Sequence, residues 1–413
     1  MSTVNGTANP GTTVLRASWL FDGEGAMLLD NPVLILKRTT IAGVGCAEDL
    51  RHEETVVDFP GATLIPGLID PHVHLAFDAS SDPVTSLAER DDDAILAAMR
   101  IAAKTALRGG ITTIRDLGDK DYLSLELRGA ADLPTIVASG PPLTTVKGHC
   151  HFLGGEVVRS TADLRSAVRA HVGRGVDVIK IMASGGTMTP GSRQERTQFD
   201  REALRAAVAE AHRHGIPVTA HAHGLEAVRD AVEAGVDGLE HVTFWAAEGV
   251  DTPGHELIER IVSQRVALGA TAGVLPQADS VMPTEVSRRM PRIIANFATL
   301  YAAGATIVAG TDAGIGPYKP HDVLPYAQDR LIEFGMDPVA ILRSMTSVAA
   351  DVCGLGHRKG RLAPGYDADV VVVQGDPIAD LSALHRVVAV YSRGNRVGQE
   401  SGYRSLFRRS RTF

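Results

Sequence analysis

The sequence predicts an α/β protein, a (β/α)8 TIM-like barrel carrying a small composite β-sandwich module made by the two ends of the chain. Three observations lead there. Between residues 64 and 359, eight apolar strand-like runs alternate with amphipathic helical segments. Before residue 63 and after residue 360 the helical segments give way to short β-type runs separated by Gly, Asp and Asn. The length, 413 residues, exceeds one ordinary domain but suits a barrel of about 250 residues plus a smaller module. The predicted division is therefore 1-63 with 360-413 for the module and 64-359 for the barrel.

Taken in order, VLRASWLF, PVLILKRTTIAGVG and ETVVDF read as strands of a small sheet. The first barrel strand is LIPGLIDPHVHL, residues 64–75, which ends in two histidines separated by one valine. Side chains alternate along a strand, so His72 and His74 share a face and one cation could take both imidazoles. Pro71 lacks a backbone donor, so ladder pairing is expected to stop just before His72. With 15 histidines, chance gives about 0.5 H-x-H pairs, whereas the chain has four, which argues that some are purposeful.

The other seven strands are ITTIRDLG, TIVASG, DVIKIMASGG, PVTAHAHG, GLEHV, VALGATAG and ATIVAGTDAG. Helices lie between them. From Asp91 to Arg108, Ile95, Ala98, Met99, Ala102 and Ala106 form one apolar face and Gly109 suits the stop. From Asp200 to His214, Asp200 is the N-cap, Leu204, Ala207, Val208 and Ala211 turn inward, and Gly215 follows the end. RLAPGYDADVVVV and HRVVAVYSRG return to strand character after Gly360. There is no internal repeat beyond the βα alternation, and no low-complexity linker.

Composition narrows the function. Hydrophobic residues make up 44%, charged residues 22% and the mean hydropathy is +0.03, the range of a soluble globular chain, and no apolar run approaches membrane-spanning length. A net charge of −8 and a pI near 6.0 give no electrostatic reason to expect nucleic acid. The basic tail RSLFRRSRTF reads as a solvated or subunit-contacting terminus rather than a phosphate site. Cys46, Cys150 and Cys353 have no C-x-x-C spacing, and the first 13 residues lack the charged and apolar regions of a secretory signal. Both features fit a reducing cytoplasm.

Barrel enzymes place their chemistry at the C-terminal tips of the strands. Lys180, His221, His241 and Asp312 fall at the fourth, fifth, sixth and eighth tips and join His72 and His74 from the first. Six such groups are too many for one tetrahedral ion but suit two ions sharing a bridge. A desolvated neutral lysine can add carbon dioxide, and the resulting carbamate on Lys180 would bridge as a carboxylate does. His223, two residues beyond His221, reads as a substrate contact or a support for the ligands. His149 and His151, after the third strand, and Tyr318 and His321, after Asp312, are expected to contact substrate. Arg193 and Arg196 could bind a carboxylate or be solvated. His212 and His214 are expected to meet free carbonyls at a helix end. Cys150 is expected to be structural, with alternation turning it away from its histidine neighbours.

In order and spacing, PGLIDPHVHL, GGITTIRDLG, VIKIMASGG, PVTAHAHG, GLEHV, AGTDAG and GRLAPGYDADVVVVQGDP resemble the metal-dependent amidohydrolase superfamily, in its imidazolonepropionase-like branch with the Xaa-Pro dipeptidases (prolidases). The resemblance spans nearly the whole chain. It implies that His72, His74 and Asp312 serve a first divalent ion and His221 and His241 a second, with zinc the expected metal, and that carboxylated Lys180 bridges them. It also implies a homo-oligomer, a tetramer or octamer. The chain departs from the branch pattern at Cys150, where KGHCHFLGG usually carries glycine, and at IGPYKPHD after the last acidic ligand.

The reaction expected is hydrolysis of the amide bond of a dipeptide or N-acyl amino acid, including bulky aromatic amides such as a mycotoxin. A hydroxide held between the ions attacks and Asp312 moves its proton to the leaving amine. Small molecules, not nucleic acid or membrane, are the expected partners. A substrate carboxylate next to the amide nitrogen would meet His149, His151 and His223, while Phe152, Phe244, Trp245 and Tyr318 leave room for a bulky group. Three other readings compete: an esterase, lactonase or phosphotriesterase on the same metals, a mononuclear deaminase or cyclic amidohydrolase, and a non-catalytic scaffold. Lys180 argues against the mononuclear enzyme and the complete ligand set against the scaffold.

Overall fold

The computed structural model describes residues 11–25, 31–46, 56–154, 157–158, 160–276 and 284–398. Most of the polar N-terminal stretch and the basic tail RSLFRRSRTF lie outside the described residues, and the run ETVVDF is described only from Val56.

Strands β1 (Thr12–Leu20), β2 (Pro32–Lys37), β3 (Thr40–Cys46) and β4 (Val56–Pro66) come first. They precede β5 (Leu68–Val73), β6 (Ile111–Asp116) and β7 (Thr135–Ala138), a short pair β8 (Thr144–Thr145) and β9 (Val157–Val158), then β10 (Ile179–Met182) and β11 (Val218–Ala222). Next come β12 (Gly238–His241), β13 (Ala267–Gly269) and β14 (Ile307–Val308), and last β15 (Val370–Gln374), β16 (Val387–Ser392) and β17 (Asn395–Arg396).

The chain divides into two compact units, one of Met1–Ile69, Ala106–Thr112 and Pro338–Phe413, the other of Asp70–Thr105 and Thr113–Asp337. In the first, a seven-stranded sheet runs in the order β17-β16-β15-β4-β1-β2-β3, so strands from both ends of the chain interleave. Alternate residues build its core: Leu15 and Ala17, Leu34 and Leu36, Ala62 and Leu64, Val370 and Val372, Ala389 and Tyr391 meet in one buried cluster.

The eight strands foreseen in the central region form two sheets, β5-β6-β7 and β10-β11-β12-β13-β14. Every registered pairing within them is parallel, as alternation of strand and helix requires. Single parallel bridges continue the order, Leu143 to Ile181 and Val73 to Ala313. At the second bridge the His74 amide donates to the Ala313 carbonyl at 2.9 Å and the Asp312 amide to the His72 carbonyl at 2.7 Å. Strand β5 thus runs through Pro71 to Val73 and stays paired beyond it, contrary to the sequence expectation. Pro71 has no amide to donate, and its carbonyl accepts from Arg115 Nε at 2.7 Å.

The helix Asp92–Arg108 buries Ile95, Met99, Ala102 and Ala106, while Ala98 stays half-buried. Its stop is Gly110, in the left-handed region at φ 93°, rather than the expected Gly109. Asp200 caps Arg201–Arg213 by accepting from the Ala203 amide, and Leu204, Ala207, Val208 and Ala211 are buried as the 3.6-residue period demands. No helix among the described residues is long and apolar enough to cross a membrane.

Candidate active site

The carboxyl ends of the central strands gather two groups of buried side chains, His72, His74 and Asp312 in one, His221, His223 and His241 in the other. Within each group the atoms able to ligate a metal lie within 4.8 Å of one another. The groups adjoin: the His72 and His241 ring centroids are 5.1 Å apart, and those of His221 and His241 4.5 Å. Lys180 is buried on β10 and shares a cavity of about 200 Å³ with His74, His221, His241 and Asp312. All six predicted ligand residues therefore converge.

Local backbone explains the convergence. Alternation puts His72 and His74 on one face at the end of β5, and His221 and His223 on one face at the end of β11. His241 and Asp312 instead leave their strands in the left-handed region, at φ 73° and 62°, a cost of order 1–3 kcal/mol each that the surrounding bonds sustain. Two glycines make room. A Cβ at Gly269 would collide with Glu240 Oε2, and one at Gly310 would lie 2.9 Å from His72 Cβ.

Each imidazole is held by one ring nitrogen. His72 Nδ1 lies 2.8 Å from Glu240 Oε2, His74 Nδ1 donates to the Gly118 carbonyl at 2.9 Å, and His221 Nε2 donates to the Gly185 carbonyl at 3.0 Å. His223 Nδ1 pairs with Thr243 Oγ1 at 2.8 Å and His241 Nδ1 with Thr271 Oγ1 at 3.3 Å. By accepting from one ring nitrogen, the carbonyl and carboxylate partners of His72, His74 and His221 set the tautomer in which the other nitrogen can give its lone pair to a cation; His74 Nε2 lies 3.1 Å from Asp312 Oδ1.

Sequence reasoning missed the groups that do the holding. Glu240 also accepts from Thr219 Oγ1 at 2.7 Å and Arg115 Nη2 at 3.0 Å. Asp70 accepts from the His72 and Thr311 amides, both at 3.2 Å, and from Thr311 Oγ1 at 2.6 Å, joining β5 to the segment that carries Asp312. Lys319 Nζ donates to the Thr271 and Thr311 carbonyls at 2.9 and 2.5 Å. The available signal was a charged residue inside an apolar run, as in IDPHVH, TTIRD and GLEHV.

Electrostatics suit a cation. Burial pushes Lys180 down to about 8 against the pull of Glu240 and Asp312. Burial, aided by Lys180, holds His72 at about 4, and His149 and His223 are pushed by burial to about 4 and about 3. Burial opposes ionisation of Asp312, yet the bond from His74 and the nearby His72 hold its carboxyl well below the usual range. Burial works against the charge of His74 too, but its bond to Asp312 raises its pKa; buried imidazoles beside an ionised carboxylate are the donor set of a zinc-type site. Among the described residues, buried Lys180 Nζ and His72 Nε2 have no hydrogen-bond partner. Stranding two such atoms costs on the order of 1–3 kcal/mol each unless a ligand engages them.

The other predicted residues divide. His149 lines the cavity, its ring 4.8 Å from that of His221, and Tyr318 and Trp245 line it too. His151 does not: it is exposed, with Nδ1 bonded to the Gly148 carbonyl, because residues 151–153 form a 3-10 turn instead of an extended segment. The same turn, with Cys150 at φ 57°, brings Cys150 into the cavity wall, correcting the expectation that alternation turns it away. His321 is buried outside the cavity lining, Nε2 3.2 Å from the His74 carbonyl, and supports the β5 end. Arg193 pairs with Glu195 at 2.5 Å, and neither it nor Arg196 lines the cavity. Phe152 and Phe244 are also absent from the lining. His212 and His214 face carboxylates, Asp237 at 2.8 Å and Glu210 at 3.6 Å, rather than free carbonyls.

An apolar wall was not foreseen. Val286, Met290, Ile293 and Phe297 form one stripe of the helix Thr284–Ala302 that faces the cavity, and Phe334 stacks on Phe297 with centroids 4.6 Å apart.

Comparison with known proteins agrees with this geometry. Residues 63–397 match the model of the amidohydrolase family. Ochratoxinase of Aspergillus niger is 28% identical over 92% of this chain and 84% of its own length, and imidazolonepropionase of Deinococcus deserti 24% identical over 89% and 92%. The crystal structure of a Xaa-Pro dipeptidase with methionine in its active site superposes with a TM-score of 0.82 at 26% identity, covering 93% of this chain and 99% of that one. The match along most of the chain and the histidine-rich strand tips lead to one conclusion: the protein belongs to the amidohydrolase family, in its imidazolonepropionase and Xaa-Pro dipeptidase branch, and is a hydrolase acting on C–N bonds.

Proposed function

We propose that the protein cleaves the amide bond of a dipeptide or N-acyl amino acid that carries a bulky apolar group, using two divalent metal ions, with zinc the expected metal. His72, His74 and Asp312 would hold one ion and His221 and His241 the other, with Lys180 carboxylated as the bridge. One observation carries this reading: a buried lysine amine with no hydrogen-bond partner among the described residues shares its cavity with histidines of both clusters. Carbamate formation would turn that stranded amine into a bridging anion. When bound, the metals supply Lewis acidity and bring a water's pKa to about 7.

The chain's own residues do the rest. Asp312, kept ionised, takes up a proton from the attacking water and returns it to the leaving amine. Glu240 holds the His72 ring in place, and apolar side chains make up much of the cavity wall. His149 faces the cavity where a substrate carboxylate would lie, and the stripe from Val286 to Phe297 gives the opposite group an apolar wall. Relatives named ochratoxinase and Xaa-Pro dipeptidase favour an amide over an ester. We further read the two parallel sheets as one closed barrel, the terminal sheet as its sandwich-like module, and the protein as a cytoplasmic homo-oligomer.

The test is metal analysis joined to a screen of dipeptides, N-acyl amino acids, esters, lactones and phosphotriesters. Two ions per chain are expected, with the highest kcat/KM on acyl amino acids bearing aromatic or long apolar groups. Amidating the carboxylate should cost roughly tenfold or more, since one charge-assisted bond is worth about 1.5–3 kcal/mol. Faster turnover of lactones, esters or phosphotriesters than of every acyl amino acid would move the assignment to those substrates.

A further inference from the structure

We infer that the indole of Trp245 is the surface on which the substrate's bulky group stacks, and that Arg289 is the positioning residue that sets the indole. A planar aromatic ring is then preferred at this place over a saturated ring of the same size. The inference rests on the reading above, which asks only for a bulky apolar group, and narrows it. Arg289 is only 6% exposed, rare for an arginine, and its donors are all taken up in one fork. Nε donates to the Gly249 carbonyl at 2.9 Å and Nη2 to the Ala247 carbonyl at 3.3 Å, while Nη1 donates to the Glu285 carbonyl at 3.3 Å and to the Glu285 carboxylate. Held so, the guanidinium carbon lies 4.3 Å from the centre of the Trp245 ring, where the electron-rich face attracts a cation. Trp245 lines the cavity and Arg289 does not, so the guanidinium backs the indole without reaching the substrate.

The backbone that carries the indole is fixed as well. Just before Trp245, His241, Val242 and Phe244 are left-handed, at φ 73°, 47° and 53°, a conformation such residues keep only where their surroundings impose it. The Trp245 amide donates to the His223 carbonyl at 3.1 Å, Trp245 pairs with Val250, and Asn296 Nδ2 donates to the Asp251 carbonyl at 2.8 Å. Arg289 and Asn296 thus tie this turn to the helix Thr284–Ala302, whose Met290 and Phe297 face the cavity. The indole and the apolar stripe are two walls held in fixed relation. Trp245 also borders an adjoining hollow, where Glu195, Glu226 and Asp251 outnumber Arg229. A substrate that carries a carboxylate is repelled from that side, which leaves the cavity for stacking. Two aromatic rings attract each other beyond the area they bury, an advantage a saturated ring lacks.

The test compares N-phenylacetyl with N-cyclohexylacetyl amino acids on the metal-loaded full-length enzyme, pairs in which a methylene insulates the carbonyl from the ring. Wild type should prefer the phenyl series in kcat/KM by roughly three- to tenfold, the scale of one aromatic pair. Trp245→Leu should abolish the preference, with the loss on the phenyl series carried mainly by KM, and Arg289→Met should reduce it in the same way. Equal kcat/KM for the two series in wild type, or a preference that survives Trp245→Leu, would overturn the inference. A preference intact in Arg289→Met would strike out the positioning role. A second measurement needs neither variant. The chain has two tryptophans, so in Trp19→Phe the indole fluorescence comes from Trp245 alone. Phenylacetate should perturb that emission at several-fold lower concentration than cyclohexylacetate, and no difference between them would overturn the inference even if the other variants failed to fold. Should esters or lactones prove to be the substrates, the phenyl and cyclohexyl comparison is made on them, so the amide reading and this one fail separately.

Discussion

His72 Nδ1 and Glu240 Oε2 lie 2.8 Å apart in a fully buried pair that links the end of β5 to β12. Burial opposes the ionisation of Glu240, but the neighbouring His72 ring, bonded to it, and the Arg115 guanidinium hold its carboxyl well below the usual range. It thereby sets the direction in which His72 Nε2 points. Glu240→Gln keeps the shape but removes the charge, and should lower metal affinity and kcat/KM by about 10–100-fold. Unchanged affinity for the first ion in titration would show that the pair is only structural.

Lys180→Ala should lose most activity and loosen bound metal, with partial recovery when small carboxylic acids are added to supply the missing bridge. Mass spectrometry of the native protein should find the carbon dioxide adduct on Lys180. An unmodified lysine in a fully metal-loaded, active enzyme would end the bridging claim.

Asp312→Asn should retain the fold and much of the metal yet lose orders of magnitude in kcat, because proton transfer by a positioned group contributes about 10²–10⁴-fold. An unchanged kcat would reject that role.

Met290→Trp should narrow the apolar wall, since Met290 is half-buried and faces the cavity. The kcat/KM for acyl amino acids with bulky aromatic groups should fall roughly tenfold or more, the scale of a misfit worth about 1–3 kcal/mol. That for N-acetyl amino acids should change much less. Equal losses on both series would place bulky groups elsewhere.

Asp367 accepts from Arg358 at 2.7 Å and from buried Lys359 at 2.9 Å. Burial raises its carboxyl pKa, but the Arg358 bond and the Lys359 charge hold it below its ordinary value. A depressed folded-state pKa adds stability above the unfolded value near about 3.9, and loses it as pH falls through the folded value. Asp367→Asn should therefore lower Tm at pH 7, by an amount equivalent to about 1–3 kcal/mol, and the gap should close toward pH 3. A gap independent of pH would rule out the charge as its cause.

Much of the site was legible because its strongest signals are local. An H-x-H pair needs only β alternation to share a face, and the apolar runs ending in Lys180, His221, His241 and Asp312 mark strand tips without knowledge of their neighbours. Local rules also produced the errors. Alternation was assumed at His149–His151, where a left-handed Cys150 starts a turn and separates the two histidines. Pro71 was taken as the end of pairing, although β5 continues because neighbouring strands use other donors and its carbonyl.

By itself, then, the sequence determined the strand and helix alternation, the family resemblance and the six residues that converge, since each follows from periodicity or from a motif within a few residues. Only the tertiary structure decided that Glu240, Asp70 and Lys319 hold the site, that His223 joins His221 and His241, and that one stripe of the helix Thr284–Ala302 faces the cavity. Most of those relationships join residues tens to hundreds of positions apart. A periodic pattern says which face of an element is buried, but what that face meets depends on how the other strands and helices pack against it.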